Sequence, residues 1–177
     1  MVGLAFVSKA GWNIYQYRQF QNHLFSNRLP VEASAFHKNL QSAPGKHVAI
    51  GKLSVPRLQL SVAMVEGDSD ESLSLAVGHM TGTAPVGSKG NAVVAGHRDT
   101  VFWPLRNIKV GDHIVVSTDK KYVYAVEQTQ IVDPEDTRAL QDAQNATLTM
   151  VTCYPFRHVG PSPKRFIVTA KLLRVQS

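Results

Sequence analysis

The chain has 177 residues, of which 44% are hydrophobic and 18% charged, a balance that excludes disorder as the main state and suits one domain with a buried core. It carries a single cysteine, Cys153, which excludes a disulfide scaffold and any zinc site built on two or more cysteines. Nineteen Lys and Arg against thirteen Asp and Glu leave a net charge of +6, suited to an anionic neighbourhood such as nucleic acid, an acidic envelope polymer or a phospholipid surface.

In chain order, Met1–Val7 (MVGLAFV) is apolar but yields at once to Ser8 and Lys9. A membrane span needs about 20 apolar residues, so this stretch cannot cross a bilayer alone. It also lacks the positive n-region and small-residue cleavage site of a signal peptide. Leu4, Val7, Gly11, Ile14, Tyr17 and Leu24 fall near helical spacing. Residues 1–30 therefore read as an N-terminal helix, either membrane-proximal, as part of an anchor, or packed on the domain. Residues 31–44 read as a linker.

From Pro44-Gly45 onward the chain becomes a series of short β-branched runs broken by Gly, Pro and Asp. The runs predict strands at Val48–Leu53, Leu58–Val65, Ala92–Ala95, His113–Ser117, Tyr122–Val132, Thr147–Cys153 and Phe166–Val175, spaced as in a barrel or sandwich rather than in βαβ units. Two short helices are predicted between them. One spans Asp70–Val77, capped by the acidic run Asp68-Ser-Asp-Glu71; that run lacks the glycine and spacing of a calcium loop, and no metal is implied. The other starts at Pro134 behind Asp133 as its cap. Lys109–Asp112 and Thr118–Lys121 read as turns. No helix bears a basic stripe with interleaved aromatics and no nucleic-acid-binding signature occurs, so nucleic acid is not an expected partner.

A lone cysteine is ordinarily a small buried hydrophobe. Here Thr147-Leu-Thr-Met-Val-Thr-Cys153 stops abruptly at Tyr154-Pro155, which places the thiol at a strand end on a rim. A loop with three more breakers (Gly160, Pro161 and Pro163) leads to Arg165 at the head of the next strand. If the two strands pair as a hairpin, Cys153 faces a fixed cation, a setting suited to a thiol nucleophile. Such a thiol needs a base. Of seven histidines, His97 ends the apolar strand Asn91-Ala-Val-Val-Ala-Gly-His97 and shares a rim with Cys153 if the two strands run parallel. His79, expected in a loop, and His158, in the loop after Cys153, are candidates to line the pocket. The same loop carries Tyr154, Phe156 and Val159, and its prolines limit its freedom, which favours a fairly rigid wall.

Taken together, Gly90-Asn-Ala-Val-Val-Ala-Gly-His97-Arg-Asp-Thr100, Thr147-Leu-Thr-Met-Val-Thr-Cys153-Tyr-Pro-Phe156 and Lys164-Arg165-Phe-Ile-Val168 resemble the sortase family. A histidine at a strand end, a TLxTC-type strand and an arginine twelve residues after the cysteine occur in the family's order. Gly78-His79-Met-Thr-Gly-Thr-Ala-Pro85 and Val159-Gly-Pro-Ser-Pro-Lys-Arg165 resemble class D, including its proteobacterial members. Met150 departs mildly from the leucine of the pattern. The resemblance implies a catalytic domain over 45–177, an eight-stranded β-barrel anchored in the cytoplasmic membrane and facing outward. It implies a cysteine transpeptidase that cuts an LPxTG-like sorting signal and passes the acyl group to an amine of peptidoglycan or a pilin, with no cofactor. Carried onto this chain, Cys153 is the nucleophile, His97 the acid/base and Arg165 the holder of substrate backbone or oxyanion. Thr152, His79, Tyr154 and His158 become substrate contacts. An L,D-transpeptidase is also β-rich and uses Cys and His, but its Ser-x-Gly-Cys segment and His-Gly motif do not occur here. A plain cysteine hydrolase and a non-enzymatic domain with a buried thiol are the remaining alternatives.

Overall fold

The computed structural model describes residues 49–177 except 71, 72, 74, 75 and 159. The helix expected over 1–30 and the linker over 31–44 lie outside these residues. Among the described residues no helix is long and apolar enough to cross a membrane.

Eight strands close into one barrel: β1 (Ala49–Val55), β2 (Leu60–Glu66), β3 (Val77–His79), β4 (Gly90–Ala95), β5 (His113–Ser117), β6 (Lys121–Val132), β7 (Ala146–Tyr154) and β8 (Lys164–Gln176). Around the barrel they run β1-β2-β3-β4-β7-β8-β6-β5, and β5 returns to β1 through Leu53↔Val116. Two neighbour pairs are parallel, β2 with β3 and β4 with β7; the others are antiparallel.

The predicted strands are all present, with ends shifted by no more than two residues. The pattern does not predict β3, because three residues centred on Gly78 show no alternation. This alters both helices. Val77 belongs to β3 rather than to the helix expected over Asp70–Val77, of which Asp70 and Leu73 are helical and Leu73 N–H donates to Ser69 O (2.9 Å). No helix forms at Pro134. The segment makes a turn closed by Asp136 N–H on Asp133 O (3.0 Å) and then a 3-10 turn at Arg138–Leu140. The carbonyls of Ala139 and Gln141 are taken by the Asn91 side chain (3.1 and 3.0 Å), so tertiary bonds replace the helical ladder.

Alternation sorts each strand into an inner and an outer set. Ala92 and Val94 of β4, Leu148 and Met150 of β7, and Val168 and Ala170 of β8 point inward and pack with Leu53, Val62, Ile114 and Tyr124. The connection after β4 plugs one mouth of the barrel with the fully buried Phe102 and Leu105. Gly96 permits this plug, because a Cβ there would lie 2.7 Å from the Phe102 ring. That same mouth gathers the ends of β1, β4, β6 and β7 and the starts of β2, β5 and β8.

An ion pair clamps its far side. Asp112, before β5, accepts two hydrogen bonds from the Arg57 guanidinium in the β1–β2 turn and one from Lys109 N–H (2.8 Å). The Arg57 bond is the main cause that holds the Asp112 carboxyl below the ordinary carboxylate range, against the opposing effect of burial. A depressed acid stabilises the fold above its unfolded value, near pH 4, and that contribution is lost as pH falls through the lowered one. Asp112→Asn should therefore lower the thermal midpoint at pH 7 by about 2–4 °C, as one lost partly exposed pair does in a domain this size. The gap between variant and wild type should narrow progressively as pH falls below about 4, toward the lowered value. A gap that stays constant in thermal melts down to the most acidic pH at which the protein still folds would show that the carboxylate charge is not what stabilises this corner.

Candidate active site

The site begins with the parallel ladder of β4 and β7. Gly90 pairs with Ala146 and each residue pairs in step through Ala95 and Val151. Two further bonds carry the ladder past the end of β4. Gly96 N–H donates to Val151 O (3.2 Å), and the Thr152 hydroxyl donates to Gly96 O (2.7 Å) at the same 56-residue offset. One step on, that offset brings His97 level with Cys153. Alternation turns both outward, because Gly96 and Thr152 face the interior. On the other side of β7, Cys153 pairs directly with Arg165 of β8. Facing residues of antiparallel strands have Cβ atoms about 4.5–5.5 Å apart, within reach of a long guanidinium. The three residues thus share one rim and all are half-buried, with the Arg165 guanidinium donating to the Ser162 and Lys164 carbonyls (3.4 and 3.1 Å).

Below them, Ala95 and Val151 form an apolar strip on the outer face of β4 and β7. The β6–β7 connection is fastened along this face. Asn91, 4% exposed, binds its Ala139 and Gln141 carbonyls and accepts a hydrogen bond from the Thr149 hydroxyl (2.8 Å). Within this connection Arg138 holds the Asp136 carboxyl down at about 2. Lys164 at the head of β8 pairs with Asp133 (2.7 Å) at its start.

The substrate contacts expected from the sequence divide differently. Thr152 is 3% exposed and its hydroxyl donates to the carbonyl of Gly96, the residue before His97. Tyr154 stacks on Phe166 (6.4 Å between ring centres) and meets Phe156 edge-on (6.1 Å), buttressing the loop after β7. His158 is exposed; its Nε2 lies 3.0 Å from Pro161 O, and its carbonyl accepts from Arg98, which ties the loop to the residue after His97. His79 is not brought to the rim. It lies in β3, not in a loop, with its ring buried at the opposite mouth beside Ile50, Glu66 and Tyr122. Nδ1 faces the Glu66 carboxylate (3.1 Å) and Nε2 the Ala84 carbonyl (2.9 Å), so both ring nitrogens are engaged. The sequence reading misses Asn91, for which an asparagine in an apolar run is the visible signal.

A sortase domain model matches residues 53–173. The chain belongs to the sortase family. It is 32% identical to Sortase D of Bacillus subtilis over 153 residues, covering 81% of this chain and 77% of that one. A solved Sortase D5 transpeptidase from Clostridium perfringens superposes with a TM-score of 0.67 at 26% identity, covering 92% of this chain and 98% of the other. Sortase A of Listeria monocytogenes gives 0.66 at 25% identity, over 72% and 89%. The barrel and the cysteine transpeptidase class follow from membership, and class D is the likeness the Bacillus relative supports. The family match does not favour the L,D-transpeptidase reading.

In this sortase the Thr152–Gly96 bond fixes the register of the histidine against the cysteine, and small displacements of reacting groups cost up to about 100-fold in rate. Thr152→Val should therefore lower kcat/KM for a signal peptide by roughly 10- to 100-fold at near-normal Tm, with Thr152→Ser restoring most of it. Unchanged kinetics in the valine variant would make the bond incidental.

Proposed function

We propose that Cys153, His97 and Arg165 carry a two-step acyl transfer on an LPxTG-like sorting signal. The Cys153 sulfur attacks a backbone carbonyl of the signal, and the developing oxyanion is held by the Arg165 guanidinium. His97 delivers the proton given up by the Cys153 thiol to the departing amine as the C–N bond breaks, leaving a thioester on Cys153. An incoming amine then attacks that thioester; the C–N bond forms, the C–S bond breaks, and the amine's proton passes through His97. Donors of this kind stabilise an oxyanion by a few kcal/mol, and positioned acid catalysis adds about 10²–10⁴-fold. The observation that carries this reading is the register that sets Cys153 opposite Arg165 and brings the Gly96–Thr152 step alongside it.

The acyl donor is a surface protein with a C-terminal LPxTG-like signal, and the acceptor is an amine of peptidoglycan or a pilin. Residues 45–177 form the catalytic unit, held at the outer side of the cytoplasmic membrane by the N-terminal segment 1–30 through the linker 31–44.

Incubation with a panel of LPxTG-like peptides, followed by intact-mass analysis, tests the chemistry. Wild type should gain the acyl fragment on Cys153, Cys153→Ala should gain nothing and turn over nothing, and an added amine should shift product from acid to amide. Acid alone with every amine tried would mean a cysteine protease rather than a transpeptidase. The two histidines separate in the same assay. His97→Ala should cost at least 100-fold in peptide cleavage, the scale of general acid catalysis, and His79→Ala far less once corrected for folded fraction. Equal losses would move the base elsewhere.

A further inference from the structure

The connection after β4 and the β1–β2 turn enclose a cleft of about 670 Å³. Its walls include Arg57, Leu58, Trp103, Arg106, Ile108 and Lys109. Its charges are arranged unevenly. Arg57 is spent on Asp112 and on the Asn107 carbonyl (2.6 Å), so it forms a neutralised back wall. Arg106 is held in place by donating to Trp103 O (2.7 Å), with its guanidinium 4.0 Å over the Trp103 ring. Arg157, four residues beyond Cys153, lies 5.8 Å from the same ring. Among the described residues, neither Arg106 nor Arg157 has a carboxylate within ion-pair distance. Two guanidinia gathered on one indole repel each other, and the ring offsets only part of that cost. Lys109 adds a third cation beside the apolar Leu58 and Ile108. These cations are exposed, and with an aromatic wall and aliphatic flanks they suit a carboxylate on a short carbon chain.

We propose that this cleft is the anion subsite for the second substrate: it holds a carboxylate of the amine acceptor while the acceptor's amine attacks the Cys153 thioester. The proposal rests on the acyl-transfer reading above. Arg157, in the loop that follows the thiol, meets the Trp103 ring of the cleft wall, which links the cleft to that loop.

The test uses the full chain, an LPxTG-like donor, and a diaminopimelate-type amine as free carboxylate and as carboxamide. Wild type should show an acceptor KM about five- to tenfold lower for the carboxylate, the worth of one or two partly exposed charge pairs. Arg106→Gln/Lys109→Gln should reduce that ratio to about one to two, whereas the exposed Lys171→Gln, a matched charge removal on β8, should keep it. No preference in wild type, or one that survives the double variant, overturns the proposal. So does a transfer of the effect to membranes, in which the variant loses binding to phosphatidylglycerol vesicles while the acceptor ratio stays.

A binding readout keeps the two readings separable. In a Trp12→Phe background Trp103 is the remaining tryptophan, and the free-carboxylate amine should quench it saturably, the carboxamide weakly, and the Arg106/Lys109 variant not at all. Saturable quenching without acylation of Cys153 would support the cleft and overturn the acyl-transfer reading. Acylation without quenching would do the reverse.

Discussion

The reactive rim depends on one constraint, the parallel register of β4 against β7. Parallel neighbours cannot be joined by a tight turn, and here the chain between them supplies β5 and β6 before returning. The register is therefore held by closure of the whole barrel, through β5 on β1 and β6 on β8. A slip of one residue would exchange the inner and outer sets, sending Thr152 to solvent and Cys153 into the core. The Thr152 hydroxyl on Gly96 O fastens the last step, where the strand ladder itself has ended.

The chain beyond Gly96 must then leave the rim without covering it. It turns inward at once, burying Phe102 and Leu105 in the mouth, and this is why a residue without a Cβ stands before the histidine. His97 is left at the lip with its carbonyl accepting from Phe102 N–H (3.0 Å), so its backbone is fixed from both sides. Arg98 reaches the His158 carbonyl and joins this lip to the loop after the thiol. The rings of Tyr154, Phe156 and Phe166 brace that loop from within.

Charge is distributed in the same spirit. Asp112, bonded to Arg57 of the cleft wall, lies buried, and neither Arg106 nor Arg157 at Trp103 has a carboxylate within ion-pair distance among the described residues. At the opposite mouth the reverse holds. His79 sits against Glu66, and its second nitrogen meets a carbonyl, so that histidine is occupied by the fold. Two histidines in similar Gly-His contexts therefore have unlike surroundings.

Much of this was legible in the chain alone. Period-two runs marked seven strands within two residues, Tyr154-Pro155 put the only thiol at a strand end, and Cys153, His97 and Arg165 stood out by residue type at strand termini. Those signals are local, and backbone alternation and proline chemistry act within a few residues. Which mouth each strand end reaches is a different matter, because it depends on the order and direction of strands far apart in sequence. The tertiary structure alone sent His79 to the far mouth, turned Thr152 inward, and gave the Ala139 and Gln141 carbonyls to Asn91 instead of a helix. It also drew Arg106 and Arg157 onto one indole. Pairing across the barrel is fixed by closure and by the exclusion of water from a shared core, and neither is written in any single segment.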